Sequence, residues 1–142
     1  MHELTRSVVV PAPPAQVWAL IGDFAALGDW VPGVPGPRIE EREDPNEPGA
    51  VRVFTVDGKD VAHERLLVHD ADRRSYTYTV LDLPLPVTGY QATLTARQHP
   101  DGSEVVWSAV YDGADELVPQ VEAGIGDTVF ASGLTALKAR FA

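Results

Sequence analysis

No cysteine occurs in the 142 residues, which rules out disulfides, thiolate metal ligands and a cysteine nucleophile. Basic residues are scarce: 11 Lys and Arg stand against 21 Asp and Glu, a net charge of −10. Affinity for phosphate backbones comes mostly from Lys and Arg, so this balance argues against nucleic acid, and anionic membrane surfaces are disfavoured on the same ground. Long apolar runs are also missing. The opening MHELTRSVVV has three apolar residues before Pro11, too short for a signal peptide. No stretch approaches the roughly 18 apolar residues of a membrane span. The expectation is a soluble, cytoplasmic protein with no membrane insertion.

Histidine is sparse as well. His2 is terminal and His99 sits in a turn, whereas His63 and His69 share one strand six residues apart. At about 3.3 Å per residue they are roughly 20 Å apart on one face, too far to share an ion. No metal and no organic cofactor is expected. Ser108 in WSA and Ser132 in ASG lack the G-x-S-x-G context of a hydrolase nucleophile. GIGDTV follows no strand, so it is not read as a nucleotide loop.

What is present is a long alternation of strand signals between two helical segments. HELTRSVVV ends in β-branched residues and is closed by Pro11. PPAQVWALIGDF starts a helix with Pro14 in its first turn, and a second helical turn follows around Ala25–Trp30. VPGVPGPR is loop. RIEERE, AVRVFTV, DVAHERLLVHD, SYTYTVL, VTGYQATLTARQ and EVVWSAVYD then read as six strands, with EEREDPNE a solvated acidic loop. From Pro119 to Ala142 apolar residues recur at helical spacing. Gly124, Gly126 and Gly133 interrupt that helix, so it is either loosely wound or presents a small-residue face. The order β, αα, six β, α makes residues 1–142 a single α+β domain.

Side chains alternate across a strand, so parity sorts each one. The inward sets are Val105, Trp107, Ala109 and Tyr111; Tyr90, Ala92, Leu94 and Ala96; and Tyr76, Tyr78 and Val80. In VAHERLLV the apolar face is Ala62, Leu66 and Val68, and Glu64 falls among them, with His63, Arg65 and His69 opposite. Parity leaves VRVFTV ambiguous. If DGK is a three-residue hairpin turn, Val56 pairs with Asp60 and Arg52 faces Glu64, which puts Phe54 inward too. A buried carboxylate needs such a partner. An Arg52–Glu64 pair is therefore expected on the concave face, and these two are the candidate catalytic residues. Trp30, Phe54, Tyr76, Tyr78, Tyr90, Trp107 and Tyr111 complete the candidate ligand-binding set. Simple core packing also accounts for the tyrosines and tryptophans, and a surface cross-strand pair for Arg52 and Glu64.

VVVPAPPAQVWALIGDFAALGDWVPGV, GAVRVFTVDGKDVAHERLLVHDADRRSYTYTVLDLPLPVTGYQATL, GSEVVWSAVYD and VFASGLTALKARF occur in an order that resembles the START-like helix-grip superfamily, also labelled SRPBCC or polyketide cyclase/dehydratase-like. The resemblance spans nearly the whole chain. It implies a curved antiparallel sheet of about seven strands gripping the long C-terminal helix around a cavity, with WVPGVPG near its mouth. It implies a hydrophobic small-molecule partner (a lipid, polyketide or aromatic metabolite), as in lipid transport. Two alternatives stand beside that: a cyclase/dehydratase using Glu64, Arg52 or a Tyr for acid–base help, and a protein-interaction module with a filled cavity. The superfamily's oxygenases need Cys ligands that this chain lacks. Oligomeric state is left open.

Overall fold

A computed structural model describes residues 1–142. Seven strands form one antiparallel sheet: β1 (His2–Val10), β2 (Arg38–Glu40), β3 (Val51–Val56), β4 (Lys59–Asp70), β5 (Ser75–Val80), β6 (Thr88–His99) and β7 (Gly102–Asp112). Their spatial order is β1-β7-β6-β5-β4-β3-β2, so every neighbour from β2 to β7 is a sequence neighbour and only β1 joins across the sheet. Between β1 and β2 lie α1 (Pro14–Ile21) and the short α2 (Leu27–Trp30). Pro14 occupies the first turn of α1, where an amide would have no partner. The Gly22 amide closes that helix on the Trp18 carbonyl.

After β7 the chain runs helically from Asp115 to Arg140, but its winding changes. A 3₁₀ turn (Asp115–Leu117) leads into α3 (Val118–Val121), then a π-helical stretch (Glu122–Ala131), then α4 (Ser132–Arg140). Both expectations for the glycine-bearing helix therefore hold. It is loosely wound over Glu122–Ala131, and it has a small-residue face. A Cβ on Gly126 would lie 2.8 Å from Leu4 Cδ1, and one on Gly133 3.2 Å from the Trp107 ring.

The core lies between this helical run, α1, α2 and the concave face of the sheet. Strict alternation places Tyr76, Tyr78, Tyr90, Ala92, Leu94, Ala96, Val105, Trp107, Ala109 and Tyr111 inward and buried. In β3 the alternation fails because Val51 and Val53 are as buried as Arg52 and Phe54. Three irregularities bend the sheet, at Val61, at Leu67 and near Gly89.

Two of these bulges revise the sequence reading. The β3–β4 turn has two residues, Asp57 and Gly58, at φ 52° and 77°, and Val56 pairs with Lys59 rather than Asp60. The bulge at Val61 then adds one residue back, so Arg52 still faces Glu64. Beyond the bulge at Leu67 the two faces of β4 exchange. Val68 turns outward, 55% exposed, and His69 turns inward against Tyr76, opposite to the parity assignment.

Candidate functional site

Arg52 carries the only fully buried charge in the core, with an exposure of 0%. Its Nε donates to Glu64 Oε1 at 2.8 Å, and Nη2 lies 2.7 Å from the same oxygen. Nη1 donates to the Phe24 carbonyl at 3.0 Å and to the Tyr76 hydroxyl at 3.3 Å. Four rings surround the guanidinium carbon, with centroids at 4.0 Å (Phe24), 4.6 Å (Tyr78), 5.6 Å (Phe54) and 5.8 Å (Tyr76). Burial alone would lower the Arg52 pKa; the Tyr76, Glu64 and Tyr78 oxygens outweigh it and hold it above its ordinary value. The cation is permanent, and aromatic faces replace part of its lost hydration.

Phe24 was not among the expected site residues. It arrives from the α1–α2 connection, where its amide donates to Asn46 Oδ1 at 2.8 Å. The acidic loop, read as merely solvated, thus holds one wall of the site in place.

Glu64 faces the other way. Its side chain is 14% exposed, and it lines two adjoining spaces under the helical run. The first, about 160 Å³, is walled by Tyr78, Val80, Tyr90, Leu83, Pro84, Ile125, Val129 and Phe130, among others. The second, about 270 Å³ and more open, runs past Phe54, Val56, Val61 and Val129 to Gly33, Val34 and Pro35. The WVPGVPG loop therefore reaches a cavity mouth. A third groove of about 410 Å³ continues outward over Leu83, Pro84, Leu85, Gln120 and Gly124.

Asp82 stands at the rim of the first cavity, 40% exposed. The His63 backbone amide donates to its Oδ1 and His63 Nδ1 lies 2.9 Å from Oδ2. Burial would raise the Asp82 pKa, but the His63 hydrogen bonds outweigh it and hold it below the ordinary carboxylate value. Desolvation pushes the Tyr78 and Tyr90 hydroxyls well above the ordinary phenol range, and the Glu64 charge adds to both shifts. Protonated phenols are hydrogen-bond partners rather than bases. Tyr78 already accepts a bond from Trp107 Nε1 at 3.2 Å.

The chain as a whole matches a known group of proteins. The family model described as polyketide cyclase/dehydrase and lipid transport matches residues 1–142. The chain belongs to this family. A Thermobifida fusca protein of known solution structure is 42% identical, with 99% of this chain and 93% of that one covered at a TM-score of 0.91. The Bacillus cereus protein XoxI is 32% identical, covering 99% and 96% of the two chains at a TM-score of 0.78. Norcoclaurine synthase from Thalictrum flavum, solved with dopamine and hydroxybenzaldehyde, is 21% identical over 98% of this chain and 85% of that one, at a TM-score of 0.72. At that identity it shares the fold. No curated protein matches the chain.

Within this family fold, the expected residues divide into two groups. Glu64, Tyr78, Tyr90 and Phe54 line the cavities, and Arg52 and Tyr76 stand directly behind Glu64. Trp30, Trp107 and Tyr111 line none of the three spaces. Trp30 is packed 5.4 Å from Trp107, inside the core rather than against a ligand space. Tyr111 is buried towards His2 and Glu122. Sequence reasoning missed Leu83, Pro84, Ile125 and Val129, since DLPLP reads as a plain connection and helix facing depends on the winding. No helix is long and apolar enough to cross a membrane. No three His, Asp or Glu side chains come together to hold a metal ion.

Proposed function

We propose that the protein binds a small, mainly apolar molecule between the sheet and the π-helical stretch, anchored through one polar group at Glu64. A carboxylate held by a wholly buried arginine, on a wall shared by two apolar cavities, carries this reading. Removing an ion from water costs several kcal/mol, and apolar replacements for buried pairs often leave stability unchanged or raise it. Core packing alone therefore gives no reason for the pair, whereas fixing a carboxylate for a ligand does. Both Arg52 contacts fall on Glu64 Oε1, which leaves Oε2 to accept a bond from a guest.

Size narrows the guest. The first cavity's 160 Å³ is close to the roughly 150 Å³ in which an apolar site holds one benzene ring. A longer molecule would extend into the outer grooves. A second reading, acid–base catalysis of the cyclase type, is favoured by Glu64 and Asp82 lining one cavity. Glu64 would then act as the base, with Tyr78 or Tyr90 as hydrogen-bond donor.

Native mass spectrometry of gently purified protein tests binding. A small-molecule adduct lost on denaturation is expected, and incubating that compound with wild type and Glu64→Gln separates carrier from enzyme. An adduct-free mass, together with no NMR shift at Tyr78 or Tyr90 on titration with 2-phenylethanol, would overturn the proposal.

A further inference from the structure

We infer that the molecule held at Glu64 is a cation, an amine carried on a single apolar ring; this rests on the binding reading above. The walls of the three adjoining spaces include Glu64 and Asp82 but no Lys, Arg or His. The basic groups paired with these two carboxylates are already engaged, and so is Arg38 near the second cavity, held by Asp60 and Glu40. Arg52 lies behind Glu64, closed off by Phe24, Phe54, Tyr76 and Tyr78. His63 is turned to Asp82 and lies 3.8 Å from Asp60. A carboxylate or phosphate guest would thus meet Glu64 with no counter-charge, and a fatty acid or anionic lipid is disfavoured.

An ammonium meets the opposite situation. Oε2 of Glu64 can accept one of its N–H bonds, and Tyr78, Tyr90 and Phe130 supply aromatic walls that attract a cation as well as a ring. Asp82 sits at the rim, ahead of Glu64 on the way in. The net charge of −10 attracts cations to the protein as a whole. The apolar cavity fixes the size of the guest, and the two carboxylates fix its sign.

Three probes of nearly equal shape test this: 2-phenylethylamine, 2-phenylethanol and phenylacetate, each titrated calorimetrically into the full chain at neutral pH and 0.15 M salt. The amine should bind at least tenfold tighter than the alcohol, and phenylacetate weakest. Glu64→Gln should abolish the amine's advantage while the alcohol still binds, and Asp82→Asn should reduce it less. An alcohol that binds as tightly as the amine, a preference for phenylacetate, or an amine advantage unchanged in Glu64→Gln overturns the charge assignment and leaves the cavity reading standing. Failure of all three probes to bind folded protein overturns both.

Discussion

One helical run crosses both ends of the sheet, and the two ends are built in opposite ways. At the α4 end the space is filled. Phe130 stacks on Trp107 at 4.4 Å and 14°, Trp107 packs on Trp30 at 5.4 Å, and Gly133 brings the helix close to both rings. At the other end Ile125 and Val129 stand over Ala62, Glu64 and Tyr78 across empty volume. The winding changes between them, from α over Ser132–Arg140 to π over Glu122–Ala131. π-Helical turns are rare and frequent at functional sites. Here the wide stretch covers the cavity and ends at Phe130, which is both a cavity wall and the ring on Trp107, while α4 continues over the packed rings through Gly133. The hollow is therefore a local product of side-chain volume and helix winding, made stable by the filled end.

Truncation should cost far more at the filled end. Trp107→Ala removes a fully buried ring and the donor to Tyr78, and should destabilise by about 3–5 kcal/mol. Ile125→Ala, half-buried beside a void, should cost about 1 kcal/mol. Urea midpoints at equal slope give both values. Equal costs would mean that the hollow end is as tightly packed as the other, and the comparison would fail.

The ion pair belongs to the hollow end, where Glu64 lines both cavities. Arg52→Met strands Glu64 and the Phe24 carbonyl, and should cost about 3 kcal/mol, the lower end of the range for breaking a buried pair, because Glu64 borders open space. Arg52→Met combined with Glu64→Leu should recover much of that stability, since two apolar residues replace two charges. Recovery of 2-phenylethylamine binding should not accompany it. A double variant as unstable as Arg52→Met would show that the pair is needed for packing, which removes the main support for a ligand anchor.

Much of this was legible in the sequence, for identifiable reasons. Period-two alternation in β5, β6 and β7 identified the inward residues from Tyr76 to Tyr111, because those strands are buried on one face only, but not the buried Ser103, which precedes the stretch EVVWSAVYD. Arg52 facing Glu64 was also foreseen, though through two errors of one residue that cancel: a turn taken as three residues and an unseen bulge at Val61. At Leu67 nothing compensates. A bulge there exchanges the faces, and no residue in ERLLVHD marks it, so His69 was placed outside although it stacks on Tyr76 and bonds the Gly22 carbonyl at 2.7 Å. The cavity's outer wall was illegible for another reason. Leu83 and Pro84 meet Ile125 and Val129 only through tertiary packing, and the winding that orients those helix residues showed in the sequence only as three glycines.

Those glycines give the finest test of the two ends. A Cβ on Gly124 meets nothing within 4 Å, so Gly124→Ala should stabilise by about 0.4–1 kcal/mol through lost unfolded-state freedom. A Cβ on Gly133 would lie 3.2 Å from Trp107 and 3.2 Å from Val31, two side chains fixed in the packed core. Overpacking of about 1–3 kcal/mol there outweighs the same helical gain, so Gly133→Ala should destabilise by about 1 kcal/mol. Thermal midpoints therefore move in opposite directions for one substitution made nine residues apart on one helix. If both rise, the α4 end has slack that its rings conceal. If both fall, alanine at Gly124 is disturbing the π-helical winding itself, and the cavity that this winding covers should then lose affinity for the amine in the same variant.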